Sequence, residues 1–349
     1  MENERRYDHA ALETLASALL VKAGMDTDKA ADVAGILVEG DLMGFTTHGL
    51  AQLPAYLGSI ESGTMQVTGE PDVVSDFGAV QVLAGKYLPG PWLVKKALNT
   101  AVERAEKFGQ GCVTVRESHH IAALSSYLHL ATSKGHMVMI SSSDPSASFV
   151  APFGGRDAVF TPDPIAVGIP TTGDPILIDM SSSITTVAMS QRLWKAGQEF
   201  PGDWAVDAEG HATRDPSVPF NEPKGALLPT GGMNHGHKGY GLALMIEALT
   251  QGLGGYGRIE APAKWGCSVT VQVMNTAAFA GQEAFAQQMQ HTAEMCRASR
   301  PVAGNTAVRL PGERELGLKK DYLANGVVLA DALVDGLKQW CEKFDVAFV

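Results

Sequence analysis

The chain has few cysteines, no long apolar run and a shortage of basic residues, and each absence narrows what it can be. Its four cysteines, Cys112, Cys267, Cys296 and Cys341, are scattered with no CxxC spacing. That pattern suits buried free thiols rather than a disulfide framework or a zinc site, and no metal is expected. No stretch is apolar for long enough to span a bilayer. The charged start, Met1–Arg6, is not followed by the apolar region of a secretion signal, so the expected location is the cytoplasm. Lys and Arg number 27 against 38 Asp and Glu, a formal net charge of −11. Such a balance argues against nucleic acid or an anionic membrane as the main partner. The phosphate-binding signature GxxxxGK[ST] is missing, and no GxGxxG follows a strand in a βαβ setting. An ordinary Rossmann domain is therefore not expected. There is no internal repeat and no low-complexity linker.

What is present fits a globular enzyme or carrier. With 349 residues, 45% of them hydrophobic and 19% charged, the chain can build two sizeable cores. The stretch Gly111–Asp144 organises the reading. A β-type run, Cys112–Val115, ends in Ser118-His119-His120. A helical pattern follows through Ile121, Leu124, Leu128 and Ala131, and stops at Lys134-Gly135. A second apolar run, Met137–Ile140, opens into Ser141-Ser142-Ser143-Asp144. Strand, helix, strand predicts a βαβ unit with neighbouring parallel strands. Its polar residues fall at the strand ends, where α/β sheets bind ligands. A histidine pair there suits proton transfer near neutral pH, and equally suits two hydrogen-bonded structural histidines.

Other segments add to this. Asp8 is positioned to cap a helix through Leu12, Leu15 and Leu19; Asp26 or Thr27 caps the next, through Ala30, Val33 and Leu37. The second helix runs into Asp41–Leu50, where Thr47 precedes His48 and a glycine follows it. Such a turn presents an imidazole to a cleft, with Thr47 fixing its orientation and with Gln52 and Tyr56 in reach. Val80–Leu83 reads as a strand and Leu93–Phe108 as a helix. Ile176–Met180 is a strand that includes Asp179 and gives way to Ser181-Ser182-Ser183. Asp179 suits either a ribose diol or a helix cap. Pro201–Pro219 reads as surface. In Gly231–Gly241, Lys238 stands among glycines at the start of an apolar helix, a setting for an anionic phosphate. Val269–Met274 is a strand, Gln282–Ala298 a helix with Phe285 and Met289 inward, and Leu310–Glu315 a charged turn. Leu333, Leu337, Trp340 and Phe344 make the apolar stripe of a closing helix capped by Asp331. Strands alternating with helices point to an α/β fold.

Taken together and in this order, these runs resemble the malate/L-lactate dehydrogenase family of the second type, which includes sulfolactate and ureidoglycolate dehydrogenases and piperideine-2-carboxylate reductase. The matching stretches are DLMGFTTHGLAQLPAY, ESHHIAALSSYLHLA, APFGGRDAVFTPDPIAVGIP, ILIDMSSS, HKGYGLALMIEAL and RLPGERE. The resemblance implies a non-Rossmann, three-layer mixed sheet of the L-sulfolactate dehydrogenase-like type. A helical lobe of residues 1–115 with 305–349 would carry the substrate side, and residues 116–304 would bind the cofactor. It implies a homodimeric oxidoreductase that uses NAD or NADP on a small 2-hydroxy or 2-oxo acid, or on a cyclic imino acid. His120 takes the place of the catalytic acid/base, with His48, Thr47 and Asp144 around it. Ser142, Asp179, Met180, Ser181, His237, Lys238, Gly239, Gly312, Glu313 and Arg314 match cofactor segments.

Two departures fall at the substrate end. Relatives commonly carry a carboxylate-binding Arg where Gln52 stands, and Gln offers neither charge nor a bidentate fork. Some reductases place an acid of the relay where Met189 stands. These two changes also motivate a different class, a nucleotide-binding sensor that has lost catalysis; the retained histidines and Lys238 argue against it.

Overall fold

The computed structural model describes residues 5–349; residues 1–4, within the charged start read above, lie outside the described residues. A short strand β1 (Arg6–Tyr7) precedes α1 (His9–Lys22), which Asp8 caps by accepting the Ala11 N–H at 2.9 Å. Asp26 stands at the N-cap of α2 (Thr27–Leu42), yet its carboxylate bonds the Lys29 ammonium at 2.9 Å instead of a backbone N–H. After the turn carrying His48 comes α3 (Leu53–Glu61). The hairpin of β2 (Asp72–Phe77) and β3 (Val80–Ala84) leads to α4 (Gly90–Phe108), which buries Val94, Ala97, Ala101 and Ala105 on one face.

The organising stretch forms β4 (Gln110–Ser118), α5 (Ser125–Thr132) and β5 (His136–Ser143). The helix expected directly after the histidines begins only at Ser125. Residues 119–124 are irregular, and Ala122 has a φ of +60°. The Tyr127 hydroxyl donates to the Ile121 carbonyl at 2.5 Å and pins this segment. Ile121 and Leu124 are buried all the same, so their spacing cannot tell a packed loop from a helical face.

The chain continues through β6 (Pro164–Ile169), β7 (Ile176–Ser181) and α6 (Val187–Lys195). Three short strands, β8 (Ala205–Val206), β9 (Ala212–Thr213) and β10 (Ala226–Leu227), form a small sheet of order β10-β8-β9. The stretch 201–219, read as surface, thus holds buried Ala205, which packs with Phe160, Phe200 and Leu227 into a second apolar core, and buried Val206, which packs with Ala151, Ala226 and Leu228 into a third. Then come α7 (Gly232–His235), α8 (His237–Glu247), β11 (Cys267–Asn275) and α9 (Gln282–Ala298). On α9 only Ala293 is fully buried, with Phe285 and Met289 half-buried. Last are α10 (Glu313–Asn325), β12 (Val327–Val328) and α11 (Asp331–Phe344). Ala330, not Asp331, is the N-cap of α11; Asp331 lies in the first turn, where its charge favours the helix dipole.

The central sheet has seven strands in the order β2-β3-β4-β11-β5-β6-β7. Strands β4 and β5 run parallel, as expected, but they are not neighbours: β11 lies between them, antiparallel to both. A partner arriving from more than a hundred residues away leaves no trace in the local alternation of β4 and β5. Only β3 and β4 form a parallel pair, so the sheet is mixed. Its period of two separates the layers. Val113, Val115, Val138, Ile140, Val269, Val271 and Val273 belong to the large apolar core with α4 and α5. Thr114, Thr270 and Ser143 point the other way, toward a π-helical turn after α8, where Ser143 Oγ meets Thr250 Oγ1 at 2.7 Å.

Every strand that contributes a site residue presents it at one edge. β4, β5 and β7 end there and β11 begins there. No described helix is long and apolar enough to cross a membrane. The four cysteines are free; Cys267 and Cys341 are buried, whereas Cys296 is exposed.

Gly90 opens α4 directly beneath the histidines: a Cβ there would meet the carbonyl oxygens of His119 and His120. Gly35, inside α2, has nothing within 4 Å of its Cβ position. Gly90→Ala should lower stability by about 1–3 kcal/mol through overpacking and reduce activity. Gly35→Ala should be neutral or stabilise by up to about 1 kcal/mol. Denaturant midpoints and kcat of the two variants check this; equal effects would contradict it.

Candidate active site

The first half of the site is the turn after α2. The Asp41 carboxylate is buried and accepts the Leu50 N–H at 2.7 Å, which closes residues 41–50 on themselves. A Cβ on Gly49 would collide with that carboxylate, so the turn requires glycine. Burial pushes the Asp41 carboxyl up to about 7, and the Leu50 N–H draws it partly back. The turn presents His48, whose Nδ1 lies 2.8 Å from the Thr47 hydroxyl, as the sequence led us to expect. Gln52 Nε2 donates to the Thr47 carbonyl at 2.7 Å. One of its two amide hydrogens is therefore committed to holding the turn.

The second half is the end of β4. His120 Nδ1 lies 2.8 Å from the Tyr56 hydroxyl, which also approaches the His120 carbonyl at 3.2 Å. The Ala122 N–H reaches the same Nδ1 at 3.3 Å. Tyr56 is fully buried on α3. The His48 and His120 rings are near-parallel with centroids 5.8 Å apart, so the two halves meet. Trp265 stacks on His120 at 4.8 Å and meets His119 edge-on at 4.9 Å. Neither ring nitrogen of the buried His119 has a hydrogen-bond partner among the described residues.

Burial decides the protonation of this cluster. It holds His120 well below the usual histidine range, and His48 and His119 push in the same direction. It lowers His119 to about 4 and lowers His48 as well. All three imidazoles are neutral at pH 7. Sequence reasoning noted Tyr56 only as near the site and missed Trp265. The available signal for Trp265 was an aromatic residue directly before the Gly266-Cys267 start of a strand.

The expected cofactor residues are arranged along β7. Near its start, the Leu177 N–H donates to the Pro311 carbonyl at 3.1 Å, and Gly312, at φ +91°, leaves no room for a Cβ against Leu177. In its middle, the Asp179 carboxylate accepts the N–H of Ser125, the first residue of α5, at 2.9 Å, although Asp179 is a strand residue and not itself a helix N-cap. Beyond its end, the Thr230 N–H donates to the Ser182 carbonyl at 2.7 Å, and Gly239 packs against both groups. Met180 and Ser181 close the strand, Met180 exposed and Ser181 half-buried. His237 and Lys238 are exposed at the start of α8, and Lys238 forms no ion pair among the described residues. The exposed lysine at a helix start fits an anionic diphosphate, whereas the Gly239 N–H donates to the Thr230 carbonyl and the Ser181, Ser182 and Ser183 hydroxyls donate to backbone carbonyls.

Other assigned residues are already engaged. Glu313 accepts from Arg297 Nε at 2.5 Å and from the Leu310 N–H at 3.0 Å, which closes its own turn. Arg314 pairs with Glu315 at 3.1 Å on the surface. Ser142 is buried on β5. Asp144 follows it, raised above the ordinary carboxyl range by burial and bonded to Ser146. Met189 sits in the first turn of α6, where its N–H bonds Thr186 Oγ1 at 3.1 Å. Among the described residues no cluster of three His, Cys, Asp or Glu is arranged to hold a metal.

Comparison with known proteins agrees with this geometry. Residues 7–338 match the family described as malate/L-lactate dehydrogenase. A malate dehydrogenase of Pyrococcus abyssi is 34% identical over 73% of this chain and 70% of its own. An L-lactate dehydrogenase of Cupriavidus necator is 31% identical over 86% of this chain and 87% of its own. Among solved structures, the sulfolactate dehydrogenase of Methanocaldococcus jannaschii superimposes with a TM-score of 0.87 at 26% identity, covering 98% of both chains. The Δ1-piperideine-2-carboxylate reductase of Pseudomonas syringae gives 0.84 at 26% identity, covering 96% of this chain and 99% of that one. The fold is that three-layer mixed-sheet type, and the chain belongs to the malate/L-lactate dehydrogenase family of dehydrogenases and reductases.

Proposed function

We propose that the protein is an NAD- or NADP-dependent oxidoreductase of small 2-hydroxy and 2-oxo acids, with His120 as the proton-transfer residue. The observation that carries this reading is His120 at the sheet edge, held at Nδ1 by Tyr56 and beside His48. We assign the substrate side to residues 1–115 with 305–349 and the cofactor side to 116–304, in a cytoplasmic homodimer. Lys238, the α8 N-terminus and Ser181 would hold the nicotinamide dinucleotide, with Asp179, Met180 and Gly312 lining it. That cofactor supplies or accepts the hydride at the substrate C2 carbon.

The protein's own groups handle the proton and the geometry. In oxidation, the neutral His120 imidazole takes the proton of the C2 hydroxyl. In reduction, its imidazolium returns a proton to the C2 oxygen. His48, oriented by Thr47, polarises the same oxygen. Asp144 backs the site.

A second reading has its own support. Gln52 and Met189 remove charge from the substrate end, and a piperideine-2-carboxylate reductase shares the fold. A cyclic imino acid would receive its proton at nitrogen from the same His120.

His120→Ala should lower kcat by about two to four orders of magnitude, the usual cost of losing general acid–base help, with cofactor binding retained. Unchanged turnover in a panel of 2-oxo acids and cyclic imines would sink the assignment.

The depressed His120 titration also sets the pH dependence. Oxidation needs the neutral ring, so kcat/KM for a hydroxy acid should stay flat across neutral pH and fall only well into the acid range. Reduction needs the charged ring, so its kcat/KM should decline steadily as pH rises through neutrality. An inflection near 6.5, the ordinary histidine value, would contradict the burial argument.

Gln52 should weaken compact dianions relative to neutral side chains, because a charge-assisted bond is worth roughly twice a neutral one and Gln52 spends one of its two amide hydrogens on Thr47. Gln52→Arg should raise kcat/KM for malate relative to lactate. If wild type already prefers malate and neither value moves, position 52 does not read the carboxylate.

A further inference from the structure

Histidines that exchange protons in enzymes are often steadied at the far nitrogen by a carboxylate, which fixes the tautomer and stabilises the cation. His120 has none. The groups that face it are His48 from the turn after α2, its neighbour His119, Trp265 from the segment before β11, and Tyr56 from α3. Cys267 lies behind Tyr56, and burial pushes both the thiol and the phenol upward, so both stay protonated. Among the described residues, the only side chain bonded to Nδ1 is the Tyr56 phenol, and it is neutral.

That phenol has two acceptors within reach, His120 Nδ1 at 2.8 Å and the His120 carbonyl at 3.2 Å. The Ala122 N–H lies between Nδ1 and the phenol oxygen, able to donate to either. Two arrangements satisfy every group. In one, the phenol O–H and the Ala122 N–H both donate to a bare Nδ1, and the ring carries its proton on Nε2. In the other, Nδ1–H and the Ala122 N–H both donate to the phenol oxygen, and the phenol O–H turns to the His120 carbonyl. Only the second leaves Nε2 with a free lone pair.

We propose that Tyr56 is the positioning residue of the reaction, a neutral hydroxyl rotor that holds His120 Nδ1 in both arrangements and so keeps proton exchange with substrate at Nε2. The proposal rests on His120 as the proton-transfer residue. In oxidation, the C2 hydroxyl proton moves to the Nε2 lone pair while the hydride leaves C2 for the cofactor. His120 becomes an imidazolium whose Nδ1–H is accepted by the Tyr56 oxygen, and the Tyr56 O–H is accepted by the His120 carbonyl. Reduction runs the same exchange backwards, and Tyr56 never gives up its proton.

Removing the hydroxyl makes a specific change. In Tyr56→Phe the Ala122 N–H keeps Nδ1 as its one nearby acceptor, which favours the bare-Nδ1 tautomer and blocks the base. Phe keeps the ring that fills the buried slot. Long-range 1H–15N spectra of the full-length protein labelled at histidine nitrogens, with and without NADH, distinguish the tautomers; the His120 signals are those missing from His120→Asn. Wild type should show a population protonated at Nδ1, and Tyr56→Phe should show none. Hydroxy-acid kcat should fall by about two orders of magnitude, cofactor affinity should hold, and the acid limb of the pH profile should move lower.

A wild-type ring with no Nδ1–H population overturns the proposal, whether or not the variant folds. So does a variant with wild-type tautomers and kcat, or one that loses cofactor binding and stability without a tautomer change. The spectra need no substrate, so a failed substrate panel would count against the proposed activity and not against the role of Tyr56.

Discussion

A half-buried imidazole with no carboxylate bonded to it among the described residues is the constraint on which the site depends. Desolvation first, then the neighbouring His48 and His119, depress the His120 titration, and a phenol and a backbone N–H are the groups that hold its Nδ1. Such a ring must be held from several directions, because no ion pair fixes it. α3 supplies Tyr56, Gly90 lets α4 approach the His120 backbone, and the segment before β11 supplies Trp265. The seven-stranded sheet brings these together at one edge. The insertion of β11 between β4 and β5 places Trp265 beside the end of β4.

The polar half of the site follows the same logic of commitment. Asp41 closes the His48 turn, Glu313 closes the turn after Pro311, and Asp179 accepts the first N–H of α5. Each is an acid at a place where a ligand would be expected, and each is engaged by backbone N–H groups. Lys238, exposed at the start of α8, is left without an ion pair among the described residues. This division, structural acids against a free lysine, suits an anionic cofactor.

Much of this was legible in the sequence. The periodicity of α1, α4 and β7 follows from apolar spacing, and the Thr47–His48 contact follows from adjacency. Where local pattern failed, a distant partner had intervened. Residues 119–124 pack like a helical face but are pinned as a loop by Tyr127, and the alternation of β4 and β5 is blind to β11. Ala205 and Val206 look like turn residues until Phe160 and Leu227 arrive from elsewhere to bury the first, and Ala151 and Leu228 the second. The stacking of Trp265 on His120 joins residues far apart in the chain, so spacing could not reveal it. The Tyr56–His120 bond has the same character: Tyr56 was placed near the site, but its partner was not readable.

The most direct measurement is a crystal structure of the protein with NADH and oxamate, a stable mimic of a 2-oxo acid. The account predicts that the oxamate oxygen equivalent to the C2 carbonyl lies within hydrogen-bond reach of His120 Nε2, about 2.6–3.2 Å, with Tyr56 still on Nδ1 and the diphosphate against Lys238. Oxamate bound away from His120, or a diphosphate held elsewhere than the start of α8, would contradict it.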